Sequence, residues 1–566
     1  MTGLPGAGDW RPAAPPGRSR LLALAPWIAA AVLAPPLAGG LAGAVATAPL
    51  SAWRLLAAEP GIGRSILLSV LVAVAATVIS AALAGAIAAL VAARPVRARA
   101  TERLALVLVA APHAAVAVGL AFLIAPTGLL FRLAGGWIYT AADGRALPPD
   151  LPLPGDSWGL SLIAGLVVKE MPFLLALTIA AQQRVGARAA LDRARSLGWP
   201  AASAWWRVVA PQIWPLLRLP VAAVAVYGLG TVDMALVLGP SLPPVLAVRS
   251  LSLLFDPDPA RAAAGAAAAL LQLVLAVALI LSGLAAERLV RRGGADRLTV
   301  RPRRPLAPFA SRLAAGLGLL VLAMAVLAVV TLVFWAGAAV WRFPDPLPAG
   351  WSMARLTGMA ADLAPAARAS ALYALLPVLI AVPLALLLLE SQARSPARAV
   401  GEGPIYLPLL LPPAAFLAGL QGPVLRLGLD GTGLALVWCH LATVFPYVFL
   451  ALRESYRRTD QRPRRLARSL GRSGFGAWTA VMLPLTVRPL AVAAAIGFSA
   501  GVAQYLPAVM IGGGRIPLLA TEAVATAAGL DRRAAAAAAL LLAMLPAAGF
   551  LLASLIPDPA GRRRCR

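Results

Sequence analysis

Lys169 and Glu170 stand side by side inside the apolar run GLSLIAGLVVKEMPFLLALTIAAQ, and Lys169 is the single lysine of the chain. Ionisable groups at that depth in an apolar segment are costly and mark functional positions. Neighbouring residues on a helix point about 100° apart, so the two do not neutralise each other face to face. One can face a pathway while the other pairs with a neighbouring helix, and both an inter-helix and a pathway role stay open. Asp233 in GLGTVDMALVLGP and Gln504-Tyr505 in SAGVAQYLPAVMIGGG are polar groups near the ends of two further apolar runs. They suit either the lining of a central pathway or helix packing. His113 and His440, each within a run, read as helix-packing hydrogen bonders. No other His, Cys or carboxylate lies at metal-ligand spacing near them, so no metal site is expected. The two cysteines, Cys439 and Cys565, make no disulfide framework. IGGGR at 511–515 has the composition of a phosphate loop but reads as a turn. Lys169 lies between Val168 and Glu170 rather than in Gly-Lys-[Ser/Thr], so the chain has no P-loop. These residues can hold or pass a polar solute; they form no catalytic set, and no bound cofactor is expected.

Whatever positions them is built in lipid. Of 566 residues, 60% are hydrophobic and 13% charged, and the formal net charge is +27. A soluble domain is far more polar, and a nucleic-acid binder would gather its arginines, with aromatics, on one polar domain. Here the arginines fall in short tracts between apolar runs, each long enough to cross a hydrocarbon core about 30 Å thick. Twelve spans are expected, near 21–44, 65–93, 104–129, 158–182, 212–238, 263–286, 313–341, 369–391, 404–425, 432–452, 485–511 and 534–556. With both termini cytoplasmic, the internal segments take Arg94–Arg103, Arg184–Arg207, Arg288–Arg312, Arg453–Arg472 and the tail Arg562–Arg566. The other side keeps few arginines, such as Arg54, Arg145 and Arg249, among several aspartates. That is the positive-inside distribution. The N-terminus also has the layout of a signal peptide; retaining it as a span keeps the two halves of the chain alike.

Those halves are a repeat. A shift of 273 superposes Gly198 on Gly471, Trp205 on Trp478, Val208 on Val481, Pro211 on Pro484, Gly228 on Gly501 and Gly239 on Gly512 without a gap. Upstream, APHAAVAVGL at 111–120 matches LPPAAFLAGL at 411–420 with a shift of 300. Six spans in each half make the repeat parallel, related by a pseudo-twofold axis along the membrane normal. The expected division is a first domain at 1–287, a Pro/Gly/Arg linker at 288–312 and a second domain at 313–566.

Between the fourth and fifth span of each half lies an arginine-rich loop, at 184–211 and 453–484, and both contain ARSLG. Arginine costs about 2.5–3.5 kcal/mol at mid-membrane, so neither loop lies in lipid. Each reads as a short helix ending at Gly198 or Gly471, where a left-handed backbone costs glycine little. A second short helix follows, then the proline that opens the next span. Two helices meeting at a glycine make a compact knob.

This spacing resembles the EAA loop of ABC-type importer permeases, E-A-A-x-x-x-G, nine residues, then I-x-L-P. Asp192, Ala194, Gly198, Val208 and Pro211 fall on the pattern in the first half, and Arg465, Ala467, Gly471, Val481 and Pro484 in the second. The leading glutamate is replaced by Asp192 and by Arg465. The two-in-one layout further resembles fused permeases of the iron(III), thiamine and polyamine-like import systems, with a type I permease fold. That resemblance implies coupling loops docked on two copies of a separate ABC ATPase, which uses ATP and Mg. It also implies a periplasmic solute-binding protein and a place in the bacterial inner membrane. A gradient-driven secondary transporter of six-plus-six architecture is the alternative, although ARPVRARATER between the second and third spans lacks the Gly-x-x-x-Asp-Arg pattern of that fold. A membrane scaffold without transport leaves the duplicated loop unexplained.

Overall fold

The computed structural model describes residues 20–92, 94–134, 147–292, 308–394, 403–529 and 531–557. A backbone in lipid must satisfy its own hydrogen bonds, so apolar runs of this length become helices. Among the described residues, eleven helices are long and apolar enough to cross a bilayer: Leu24–Thr47, Ile62–Val91, His113–Leu133, Leu160–Arg184, Ala201–Gly230, Pro259–Arg292, Ser311–Gly337, Ala364–Ala393, Gly433–Arg458, Gly474–Val502 and Arg532–Ser554. A bent pair, Gly403–Leu409 and Pro413–Arg426, turns through 96° and takes the ninth place in chain order. The protein is an all-α polytopic membrane protein, with eleven to twelve candidate spans among the described residues.

Four of the spans differ from the sequence reading in a related way. Instead of one span at 104–129, Pro95–Ala110 forms a helix, Ala111 and Pro112 are extended with ψ of 128° and 151°, and His113 begins the third span. Pro112 lacks an N–H and disfavours a helical residue before it. The ninth span bends at the equivalent place, Pro412, where ψ is 125°. The segments read as 212–238 and 485–511 are likewise broken. The fifth span stops at Gly230 and a short helix resumes at Asp233–Leu238; the eleventh stops at Val502 and resumes at Leu506–Met510.

At their other ends the fifth and eleventh spans start earlier than read, at Ala201 and Gly474. The second short helix of each knob is therefore not separate: it runs into the span through a π turn, Trp205–Val209 or Trp478–Met482. Pro211 and Pro484 come two residues after the end of that turn, where the hydrogen-bond ladder is already shifted and a missing N–H is tolerated. The seventh helix ends at Gly337, and Ala338–Val340 pairs with Gly350–Trp351 in a small antiparallel hairpin. The linker read at 288–312 is helical at both described ends, to Arg292 and from Pro308. Its middle, and the arginine tail at 562–566, lie outside the described residues.

The two halves repeat the same contacts. The Ser69 hydroxyl accepts from the Leu246 amide at 2.7 Å, and the Ser370 hydroxyl accepts from the Leu519 amide at 2.8 Å. A Cβ on Gly228 would sit 3.3 Å from Ala73 Cα, and one on Gly501 would sit 3.0 Å from Ala374 Cα. The first span of each half crosses to the other. Leu24–Thr47 packs on the eighth, ninth and tenth spans, and the Trp438 indole donates to the Val32 carbonyl at 2.9 Å. A Cβ on Gly40 or Gly43 would run into the backbone of Phe416 or Gly419, the close approach that small residues allow between membrane helices. Reciprocally, Ser311–Gly337 packs on the second, third and fourth spans, with Gly318 against Ile87 and Gly119 against Ala328.

Candidate functional site

ARSLG is a helix terminus written twice. The helices Ala187–Ser196 and Arg462–Ser469 end in Gly198 and Gly471, whose φ values are +82° and +85°. The Trp199 amide donates to the Ala194 carbonyl at 3.1 Å and the Arg472 amide to the Ala467 carbonyl at 3.1 Å. The Gly198 and Gly471 amides donate to Arg195 and Arg468 at 2.9 and 3.1 Å. This pair of bonds is the Schellman motif, and it requires a left-handed residue that only glycine supplies without strain. Ala194 and Ala467 are buried against the body of the protein. Asp192 and Arg465 point outward. The residue before each glycine is a bare leucine: Leu197 is 74% exposed and Leu470 76%. The sequence reading did not single out these leucines, although they stand in the repeated phrase. Val208 and Val481 are half-buried on the π turns, and Pro211 and Pro484 are exposed.

The two knobs are fastened differently. In the second, the Glu390 side chain is fully buried and takes the Arg464 guanidinium at 2.6 and 3.2 Å and the Tyr456 hydroxyl at 2.6 Å. The Tyr456 oxygen accepts in turn from the Trp478 indole at 2.9 Å. In the first, the shift of 273 puts Leu191 and Gln183 at the positions of Arg464 and Tyr456, and the correspondence of Ser69 with Ser370 puts Ala89 at that of Glu390. Leu191 is buried, and Trp205, against Trp206 with ring centroids 4.7 Å apart, leaves its indole N–H without a partner. The second knob is held by a buried charge; the first has packing at the equivalent place, with exposed polar contacts, Gln183 to Glu102 at 3.0 Å and Arg184 to Glu454 at 3.3 Å, at its base.

A second polar assembly sits at the helix breaks. The Lys169 ammonium donates to the carbonyls of Val109 at 2.7 Å and Ala111 at 2.6 Å, which lie at the end of Pro95–Ala110 and have no helical partner beyond Pro112. Lys169 is thus committed to capping. Glu170 points the other way, its Oε1 2.8 Å from His113 Nε2 at the start of the next helix. The His113 ring lies against Tyr227, centroids 4.2 Å apart. The Tyr227 hydroxyl donates to Asp233 Oδ1 at 3.2 Å and Thr231 donates to the same oxygen at 3.0 Å across the second break. Glu170 and Asp233 are therefore joined through His113 and Tyr227. Two tyrosines of the second half lie within electrostatic reach: Tyr447 of Glu170, and Tyr505 of Asp233. Gln504 turns back on its own helix, donating to the Ala500 carbonyl at 3.1 Å. His440 is a packing residue, its Nδ1 3.0 Å from the Tyr373 carbonyl. Tyr227 and Thr231 were missed because an aromatic or a threonine in an apolar run carries no signal until a break gathers them.

At the opposite end from the knobs, Asp156 holds the start of the fourth span. Its carboxylate accepts from the Leu160 and Ser161 amides at 2.6 and 2.7 Å. Burial alone would raise this carboxyl, but the amides of Ser161, Leu160 and Trp158 outweigh it and hold the group below the usual carboxylate range.

No protein-family model matches the chain. The chain is 31% identical to the Inner membrane ABC transporter permease protein YnjC of Escherichia coli (strain K12) over 459 residues, covering 80% of each protein.

Proposed function

The chain belongs to the ABC transporter permeases, and on that footing we propose that it is the whole membrane part of an importer, two type I permease domains fused in one chain. This membership replaces the gradient-driven reading of the six-plus-six layout. In the proposed layout the domains are 1–287 and 313–566, joined by the linker at 288–312. The observation that carries it is the pair of knobs: the same Schellman terminus, with a bare leucine at its tip, twice on one side of the molecule.

Leu197 and Leu470 suit the apolar grooves of two copies of a separate ABC ATPase, which binds ATP and Mg. With both termini cytoplasmic in a bacterial inner membrane, the knobs meet the ATPase inside and the broken helices face a solute-binding protein outside. ATP binding draws the two ATPase copies together and the knobs with them; the π turns carry that movement straight into the fifth and eleventh spans, whose far ends are the breaks beside Asp233 and Tyr505. Hydrolysis resets the pathway. Glu170 and Asp233, with the tyrosines around them, suit a cation, and the proposed cargo is thiamine-like, iron(III) or a polyamine. Gly198→Asp and Gly471→Asp test the docking role. A side chain at these φ values strains the terminus by about 1–2 kcal/mol and sets a charge beside the leucine. Membrane insertion is expected to persist while co-purification of the ATPase is lost; stable co-purification of both variants refutes the reading.

A further inference from the structure

At the end opposite the knobs, a cavity of about 620 Å3 opens between the third, seventh and twelfth spans, lined by Thr127, Arg132, Trp335, Phe343 and Asp531–Arg533. Arg132 is buried and tied down: its Nε donates to the Thr127 carbonyl at 2.9 Å, and one terminal nitrogen to the carbonyls of Arg342 and Asp345 at 2.5 and 3.0 Å. Arg532 donates to the Thr127 hydroxyl at 2.6 Å. Both guanidinium groups lie over the one Trp335 ring, their carbons 5.6 and 5.3 Å from its centroid. Two cations are thus gathered on one residue and one indole. Among the described residues, no carboxylate lies within 4 Å of the nitrogens of Arg132, Arg532 or Arg533. Asp531 is engaged elsewhere, its Oδ1 accepting the amides of Arg533 and Ala534. Trp335 is itself buried and its indole N–H has no partner.

Like charges held together over aromatic rings, with Arg132 fixed by backbone carbonyls and Arg532 bonded to the Thr127 hydroxyl, present the guanidinium groups of Arg532 and Arg533 to an anion. Its surroundings say which anion. Phe334, Trp335, Trp341, Phe343 and Trp351 cluster at the end of the seventh span, where aromatic residues settle at headgroup level. On the same span and its hairpin, Val333, Val340 and Trp351 are left uncovered, an apolar surface suited to acyl chains.

We propose that this cavity binds the phosphate of an anionic phospholipid, with Arg532 and Arg533 as the donors and Arg132 as the fixed cation behind them. The inference does not depend on the transport reading. It is tested by native mass spectrometry of the full-length protein in neutral detergent, with phosphatidylglycerol, phosphatidylcholine or inorganic phosphate added. The expected result is retention of phosphatidylglycerol in preference to phosphatidylcholine, weakened about tenfold or more in Arg532→Gln and in Arg533→Gln, and partly kept in Arg532→Lys. Neither glutamine variant removes a bond to the backbone, so both are expected to fold, which a melting curve checks. Equal retention in wild type and both variants overturns the site. Arginine-dependent retention of inorganic phosphate without lipid preference overturns the lipid as its source. Loss of solute-binding-protein association in Arg532→Gln, with lipid retention unchanged, overturns it in favour of a protein contact.

Discussion

Replacing Glu390 with glutamine should loosen the second knob and leave the first alone. Glu390 is completely buried and Arg464 is 11% exposed. The substitution keeps the shape but removes the charge that holds two nitrogens of Arg464 and the Tyr456 hydroxyl. Removing one partner of a buried pair costs about 3–5 kcal/mol. Arg464 lies near the surface and can swing part of its charge to water, so the lower figure, about 3 kcal/mol, applies. Within the helix Arg462–Ser469 the buried residue is Ala467, which leaves little else to keep it docked. Most of the loss should therefore appear as local opening rather than global unfolding. At about 1.4 kcal/mol per tenfold, 3 kcal/mol raises the open fraction about a hundredfold. Trypsin reads this directly, because Arg464, Arg465, Arg468 and Arg472 all lie in the segment. When reclosing is fast, cleavage follows the open population. Cleavage there should rise about a hundredfold while cleavage at Arg188, Arg193 and Arg195 stays unchanged. The double variant Glu390→Ala with Arg464→Leu, which imitates the apolar first knob, should recover most of the protection. Equal cleavage at both knobs in Glu390→Gln, or none beyond wild type, refutes the latch.

Glu170→Gln keeps an oxygen for His113 but removes a charge from the break; uptake of a cationic cargo into proteoliposomes should fall about tenfold or more with the melting temperature little changed, and unchanged uptake removes Glu170 from the pathway. Asp156→Asn keeps a cap but loses its charge and should cost about 1 kcal/mol at neutral pH. Because the native carboxyl is held low, its contribution is present above the ordinary value of about 3.9 and disappears as pH falls through the lowered native value. Melting curves of wild type and Asp156→Asn should therefore converge in acid, and a constant gap across pH rules out this source.

Helix number, the repeat and both knobs were legible because each is a local pattern: apolar length, a fixed shift, a glycine set against a proline. The breaks were not. Pro172, Pro215, Pro220, Pro377, Pro383 and Pro446 all lie inside unbroken helices, so Pro112 and Pro412 do not stand out by type. What distinguishes Pro112 is Lys169, two helices on, whose ammonium satisfies the freed carbonyls. Without the break, Glu170, His113, Tyr227 and Asp233 are four isolated polar residues. The Glu390 latch joins positions 74 residues apart, and Arg132 gathers partners more than 200 residues away, distances at which a single sequence holds no pairing signal.

The crossed first spans have a consequence for how such a molecule can change over time. Each half completes its packing with a helix donated by the other, so neither is a finished unit, and a chain cut in the middle would have to find its counterpart in the bilayer before burying that surface. Joined in one polypeptide, the exchange is intramolecular and always pairs unlike halves. Each half is then free to drift: one knob can acquire a buried glutamate and arginine while the other keeps leucine and alanine, and every molecule still carries one of each.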